Sequence, residues 1–230
     1  SLISSALVAA LVGYGSTIAL VLSAATAVGA SPEQTASWVL AVCLAKAIGS
    51  ALLSITTRVP VVLAWSTPGA ALIAATQGVT LAEAVAAFVL AGLLIALTGV
   101  IKPLGRAVAL IPDGVAAGML AGVLLPFCLK GAGAAQALPA LVLPMIAVFV
   151  LVRLKNPALA VLAALGLGLT LAFTLGGAVF PPLTLPAPSL TFIAPELRLD
   201  VLLGLGLPLY LVTMASQNLP GFATLRAHGY

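Results

Sequence analysis

The sequence predicts an all-α protein that crosses a membrane several times. Only 6% of the 230 residues are charged, and the mean hydropathy is +1.29, far above the range of a domain whose surface is wetted by water. The apolar residues are grouped into stretches of about 17 to 25, the length that a helix needs to cross a hydrocarbon core of roughly 30 Å. A barrel strand would need about half that length, so the pattern favours helices.

Eight apolar segments are predicted along the chain. They cover approximately residues 2–26, 35–54, 61–77, 82–101, 107–128, 138–152, 157–179 and 200–218. The first segment lacks the basic start and the small-residue cleavage site of a signal peptide, so we expect it to stay in the membrane. Residues 181–199 are predicted to form a connector, because the five prolines of "PPLTLPAPSLTFIAPELRLD" prevent a continuous helix there.

The basic residues indicate an orientation. If the first segment enters from the cytoplasm, the bases that fall on the cytoplasmic side are Arg58, Lys102, Arg106, Arg153, Lys155 and Arg226, and those outside are Lys130 and Arg198. This imbalance follows the positive-inside rule, and such scattered bases do not form a patch for nucleic acid. Lys46 lies within the second segment. Snorkelling toward the cytoplasmic interface is its preferred interpretation, and a buried charge is the alternative.

The sequence gives no sign of catalysis or of a bound cofactor. Cys43 and Cys128 lie far apart in separate apolar segments, and the chain has one histidine, so neither a disulfide nor a metal site is expected. No nucleophile–base pair or phosphate-binding loop is recognisable. We therefore expect no enzymatic activity, no cofactor and no metal.

The third segment, "RVPVVLAWSTPGAALIA", differs from its uninterrupted neighbours. Residues 59–62 favour an extended backbone, whereas Ser66 or Thr67 can cap a new helix and Pro68 suits its first turn. This predicts a helix N-terminus near mid-membrane, where the N–H groups and the positive dipole end would hold an anion. The alternative is a proline-kinked helix whose hydroxyls cap the freed carbonyls.

Several motifs resemble the benzoate/proton symporter family, and the resemblance runs the length of the chain. The most specific are AWSTPGAAL and TMASQNLPG, and the others are GYGSTIALVLSAA, SPEQTASWV and MLAGVLLPF. The resemblance implies the fold of the uracil transporter and the sulfate/anion exchangers. That fold has fourteen segments in two inverted repeats of seven, with a discontinuous strand and half-helix as its third and tenth segments.

The resemblance also implies how the chain is divided. Core-domain segments one to four would occupy residues 1–104, gate-domain segments five to seven residues 105–180, the connector residues 181–199, and core segment eight residues 200–230. The chain would then cover about eight of fourteen segments and belong to a longer protein. We expect residues 1–230 alone to be inactive and poorly stable, because the strand before Trp65 would lack its counterpart from the second repeat.

Seven residues are predicted to contact the substrate through this resemblance and their chemistry. They are Tyr14, Trp65, Ser66, Thr67, Gly69, Gln217 and Asn218. Trp65 would stack on an aromatic acid, and Gly69 would let a ligand approach the backbone. The Tyr14 hydroxyl could bond ligand or neighbouring backbone, and the amides of Gln217 and Asn218 could instead join helices, because polar groups in the membrane are costly unless paired.

The predicted function is proton-coupled symport of benzoate or a related aromatic carboxylate, by alternating access across the inner membrane. Asp113 is the candidate for proton coupling, but a helix cap or a partner for Arg106 is the preferred interpretation of its carboxylate. The coupling group would then lie beyond this chain, or the substrate's own carboxyl would carry the proton. The alternatives are an anion exchanger or uniporter of the same fold, or a non-transporting membrane scaffold. The expected partners are the substrate, protons and lipid, with a homodimer as a further possibility.

Overall fold

The computed structural model describes residues 2–110, 112–175, 179 and 189–230. Within these residues the chain forms helices and no β-strand. The helices are α1 (Leu2–Ala27), α2 (Pro32–Thr57), α3 (Thr67–Ala74), α4 (Leu81–Val100), α5 (Lys102–Ala109), α6 (Asp113–Ala137), α7 (Pro139–Lys155), α8 (Pro157–Thr174) and α9 (Leu199–Ala227). The all-α prediction is therefore confirmed over the described residues.

Four of the described helices are long and apolar enough to cross a membrane. These spans are Ala6–Ala27, Pro32–Thr57, Leu81–Val100 and Leu199–Ala227. Large apolar side chains lie open on the helix surfaces, as Val100 at 79% and Leu154 at 80% exposure illustrate. Such a surface suits lipid and not water. The structure thus fits a polytopic membrane protein, while the count of eight segments stays a prediction.

The fifth predicted segment has different boundaries in the structure. Residues 102–109 form the separate helix α5, and α6 begins at Asp113 and ends at Ala137, beyond the predicted end at residue 128. Pro112 accounts for the new start, since proline favours the beginning of a helix over its interior. Lys130 therefore lies inside α6, with its ammonium 5.6 Å from the ring centroid of Phe127, and not in a loop as predicted.

The chain divides into two compact units. Unit 1 contains Ser1–Ala19 and Phe127–Ala187, and unit 2 contains Leu20–Pro126 and Pro188–Tyr230. In unit 1, α7 and α8 pack as an antiparallel pair in which a side chain at Gly168 would meet Met145 at 2.5 Å. The absence of a side chain at Gly168 thus permits the close approach of the two helices. The assignment of core and gate domains stays a prediction.

Unit 2 is built around the packing of α9 against α4. A Cβ at Gly206 would lie 3.1 Å from Leu90, so glycine allows the two helices to approach closely. Farther along, the hydroxyls of Tyr210 and Thr98 are 2.6 Å apart in a buried hydrogen bond. Two π-helical stretches, Leu202–Gly206 and Met214–Asn218, interrupt the α-helical geometry of α9. Such stretches change which side chains face a neighbour, and they occur often at functional sites.

An ion pair fastens the start of α9 to the N-terminus of α4. Arg198 donates to Glu83 at 2.8 Å and to the carbonyl of Gly78 at 3.2 Å. Just before it, the Glu196 N–H donates to the Ala82 carbonyl at 3.0 Å. Residues 189–198 are non-helical, as expected for the connector, and residues 181–188 of that prediction lie outside the described part.

Candidate functional site

The third segment is interrupted as predicted, but residues 60–66 form no β-strand, contrary to what the resemblance implied. Residues 60–66 are non-helical, and α3 begins after Ser66, whose side-chain oxygen accepts the N–H of Gly69 at 3.1 Å. Ser66, and not Thr67, is therefore the N-cap. The kinked-helix alternative is wrong, because the Ser66 hydroxyl caps an N–H group at the start of a helix and not a freed carbonyl within one.

Two serines of α2 pair with the extended backbone before α3. Ser54 Oγ contacts both the N–H and the C=O of Val61, at 3.1 and 3.0 Å, and the N–H of Leu63 donates to Ser50 Oγ at 2.9 Å. Four helical residues rise about 6.0 Å, and two extended residues span about 6.6 Å, so the two spacings match. The hydroxyls thus satisfy backbone groups for which sequence reasoning expected a strand partner.

Lys46 lies one helical turn before Ser50 on the same face of α2. Its ammonium lies 4.5 Å from the ring centroid of Trp65, within the range of a cation–π interaction. Gly49, which precedes Ser50, leaves room for the side chain of Leu63. A Cβ at position 49 would lie 2.5 Å from that side chain. Lys46 is half-buried beside Trp65, just before the start of α3, and the choice between snorkelling and a buried charge stays a prediction.

Two side chains of α9 hold the junction between the extended segment and α3. Gln217 Nε2 donates to the Trp65 carbonyl at 3.0 Å, and the hydroxyls of Thr213 and Ser66 are 2.9 Å apart. Gln217 lies in the second π-helical stretch, where the Leu219 N–H bonds five residues back. Gln217 therefore joins two elements of unit 2, which was the alternative interpretation of its amide. Substrate contact by Gln217 stays a prediction.

Gly69 is required by the packing of the cap. A Cβ there would lie 2.8 Å from Ser66 Oγ and 3.3 Å from Leu209. The protein's own N-cap thus occupies part of the space beside this glycine, which also lines the cavity described below, and close approach of a ligand to the Gly69 backbone stays a prediction. A Cβ at position 69 would force the Ser66 hydroxyl, as it is placed here, to shift.

A cavity of about 370 Å³ opens at the N-terminus of α3, within the size range of small-molecule sites. Its walls combine three aromatic rings, two hydroxyls and small or aliphatic side chains. The lining residues are Val21, Trp38, Val42, Trp65, Ser66, Gly69, Ala70, Ile73, Phe88, Ala91, Gly92, Ile95, Leu209 and Thr213. An apolar chamber with a few converging polar groups suits a planar aromatic ligand that carries one polar end.

A smaller cavity of about 180 Å³ adjoins this chamber and shares two of its residues. Trp38 and Phe88 line both cavities, with ring centroids 5.3 Å apart and ring planes inclined by 49°. The connector covers the smaller cavity, where the N–H of Thr191 donates to Ser37 Oγ at 2.7 Å. The tilted aromatic pair thus separates the two cavities.

The other predicted site residues have varied positions. Tyr14 belongs to unit 1, on α1, and is 46% exposed, and Thr67 is the first residue of α3. The Asn218 amide donates to Met214 Sδ within its own helix at 3.0 Å. The side chain of Asp113 lies outside the described part. Among the described residues, no group of His, Cys, Asp or Glu could hold a metal ion.

Sequence reasoning missed several side chains that build the site. Thr213 begins the TMASQNLPG motif but was assigned no role, and the serines of α2 were not singled out. The available signal was spacing: Trp38, Val42, Lys46, Ser50 and Ser54 recur every four residues, which places them on one helix face. Thr213 and Gln217 have the same spacing on α9.

Comparison with known proteins identifies the family. The family described as "Benzoate membrane transport protein" matches residues 1–230. The chain is 38% identical over 223 residues to the inner membrane protein YdcO of Escherichia coli (strain K12), and 36% identical over 223 residues to a benzoate membrane transport protein of Acinetobacter baylyi (strain ATCC 33305 / BD413 / ADP1). Each alignment covers 96% of this chain and 57% of the relative. No solved structure matches the chain significantly.

These matches agree with the resemblance carried by the motifs, and the apolar helices account for the membrane location. The chain spans 57% of the length of each of these relatives. It is an inner-membrane protein with several apolar helices, and it belongs to the benzoate membrane transport protein family.

Proposed function

We propose that this chain carries the substrate site of a secondary transporter that imports benzoate or a related aromatic carboxylate together with protons. The observation that carries the proposal is the aromatic cavity at the capped N-terminus of α3. The family and a relative named benzoate membrane transport protein supply the substrate class. The membrane-spanning helices supply the setting for transport.

The proposed binding mode combines the two kinds of cavity wall. The ring of the substrate packs among Trp38, Trp65 and Phe88, where offset or edge-to-face contacts are favourable. Its carboxylate points to the N-terminus of α3, where the helix dipole favours an anion by about 0.3 to 2 kcal/mol. The Ser66 and Thr213 hydroxyls lie at the same end and share one hydrogen bond, which leaves one of the two O–H groups to donate to a carboxylate oxygen.

The proposed mechanism is alternating access in a fold of two inverted seven-segment repeats. The interrupted third segment supports this fold, because helix ends that meet substrate at the midplane are a recurring device of secondary transporters. In this scheme the core domain, with segments one to four and eight, moves against a gate domain of segments five to seven. Tyr14, Thr67, Gln217 and Asn218 are proposed as further substrate contacts, and Asp113 as a proton-coupling group.

Uptake into proteoliposomes tests the transport proposal. Because residues 1–230 alone are predicted to be inactive, the full-length protein that contains them is purified and reconstituted. Accumulation of radiolabelled benzoate is then followed with and without an inwardly directed proton gradient. Proton symport predicts accumulation above equilibrium that an ionophore collapses. Accumulation that requires an anion inside the liposomes and does not depend on the proton gradient would indicate an exchanger. Equilibration of benzoate across the membrane without accumulation would indicate a uniporter.

The scaffold alternative is tested by binding. Equilibrium dialysis of radiolabelled benzoate against the detergent-solubilised protein measures occupancy without requiring transport. A saturable site that holds about one benzoate per chain is expected. No saturable binding at millimolar benzoate would leave a non-transporting scaffold as the better explanation.

A further inference from the structure

We propose that Lys46 is the cation that pairs with the substrate carboxylate in this cavity. The inference rests on the proposed function and adds the source of the positive charge. It starts from two contacts of Trp65, whose ring lies 4.5 Å from the Lys46 ammonium and also lines the cavity.

Lys46 lies on α2 one turn beyond the last residue of that helix that lines the cavity. Trp38 and Val42, which precede it by eight and four residues in steps of one turn, both line the cavity. Lys46 is the next residue of that helix face, and its flexible four-carbon stem can bring the ammonium from the Trp65 ring to a bound anion. Lys46 is also near the middle of a 26-residue apolar helix, where an ionisable side chain is costly unless it has a function.

The N-terminus of α3 offers few donors of its own to a carboxylate. Pro68 has no N–H group, and the N–H groups of Gly69 and Ala70 are bonded to the side chain and the carbonyl of Ser66, at 3.1 and 2.8 Å. The dipole therefore remains, but most of the hydrogen-bond donors are engaged. A carboxylate that leaves water needs charge-assisted donors, and the Lys46 ammonium supplies three.

No acidic group competes for Lys46 in the described part of the chain. The ion pairs there are those of Arg198 with Glu83 and Asp200. The Lys46 ammonium instead contacts the Trp65 ring, which stabilises a cation without neutralising it. No ion pair among the described residues engages this ammonium, so a substrate carboxylate can displace the ring as its partner.

The test compares how well variants distinguish benzoate from benzamide, which keeps the ring and loses the charge. Binding of radiolabelled benzoate, and its competition by benzamide, is measured in wild type, Lys46→Met, Lys46→Arg and Lys102→Met. Lys102 is an exposed base at the start of α5, so Lys102→Met matches the loss of charge away from the cavity. Size-exclusion profiles and circular dichroism verify that each variant is folded.

We expect Lys46→Met to bind benzoate at least about 30-fold more weakly, with benzamide affinity nearly unchanged, because one partner of a desolvated charge pair is lost. Lys46→Arg should keep most of the preference for benzoate, and Lys102→Met all of it. A folded Lys46→Met protein that still prefers benzoate as wild type does would overturn this inference and leave the proposed function standing. Absence of benzoate binding in wild type would instead refute the proposed function itself.

Discussion

Two helix N-termini in unit 2 use the same kind of cap but carry different residues three positions after it. At α4, Thr80 accepts the N–H of Glu83 at 3.3 Å, and at α3 Ser66 accepts the N–H of Gly69 at 3.1 Å. The third residue of α4 is thus an acid, and the third residue of α3 is a glycine. In α4, the Glu83 carboxylate also returns to accept the Thr80 N–H at 2.8 Å.

This difference changes the electrostatics of the two ends. The Glu83 carboxylate neutralises the positive end of α4, and it pairs in turn with Arg198. The first turn of α3 contains no acid and opens to an aromatic cavity. The N-terminus of α4 therefore carries its own anion, the Glu83 carboxylate. The N-terminus of α3, which is proposed as the binding site, has no such acid and leaves the place of the anion to a ligand.

Among changes at the two helix ends, Gly69→Ala is expected to have the largest effect on benzoate binding. The new methyl group would force the Ser66 hydroxyl to shift at the cavity wall, so we expect affinity to fall roughly tenfold or more. Gly92→Ala is the matched control, because Gly92 lines the same cavity with nothing within 4 Å of an added Cβ. Equal affinity in both variants would show that the α3 cap does not shape the site.

A smaller effect is expected for Glu83→Gln, which removes the anion of α4. The loss of the pair with Arg198 should lower the free energy of unfolding by roughly 1 to 2 kcal/mol, since Arg198 is 41% exposed and solvent screens the interaction. Thermal unfolding in detergent measures this change, with Glu33→Gln, an exposed acid in the first turn of α2, as control. Benzoate affinity should not change, and a large loss of binding would mean that α4 and the cavity are coupled.

The two caps can also be removed one at a time. Ser66→Ala and Thr80→Ala should each lower stability by about 1 kcal/mol, because each leaves a helix N–H without its side-chain acceptor. Only Ser66→Ala should weaken benzoate binding. If both variants bind benzoate alike, the functional distinction between the two helix ends is incorrect.

The smallest effect on the protein is expected from single cysteine substitutions. Labelling of these cysteines tests on which side of the membrane the N-terminus of α4 lies. In a background without Cys43 and Cys128, a cysteine at Gln77, just before α4, should react with an impermeant thiol reagent added outside. A cysteine at Lys102, at the other end of α4, should be protected because the positive-inside rule places it in the cytoplasm. The reverse pattern would invert the predicted orientation.

The interrupted third segment was predictable from sequence because its causes are local. Pro60 and the valines around it favour extended backbone, and Ser66 followed by Pro68 is a recognisable helix start. The support for that segment was not predictable, because it depends on the register between α2 and residues 61–66. Ser50 and Ser54 look like ordinary small residues of an apolar helix until the fold places Val61 and Leu63 beside them.

The interpretation of Lys46 shows the same limit. A single base in an apolar segment is compatible with snorkelling or with burial, and the sequence does not reveal the contact that Lys46 makes with the Trp65 ring. Gln217 is similar, since an amide in a membrane helix needs a partner and the sequence does not say which one. Local chemistry therefore located the site, and tertiary register determined which side chains complete it.

The most direct test of the proposed site uses the two tryptophans of the chain, Trp38 and Trp65, which both line the cavity. Intrinsic fluorescence of the purified protein is titrated with benzoate, with acetate and benzamide as controls for the charge and the ring. We predict a saturable change in emission with benzoate, a weaker response to benzamide and none to acetate, and loss of the benzoate response in Gly69→Ala. An unchanged emission spectrum at saturating benzoate, in protein shown by dialysis to bind it, would place the site elsewhere and contradict the assignment of this cavity.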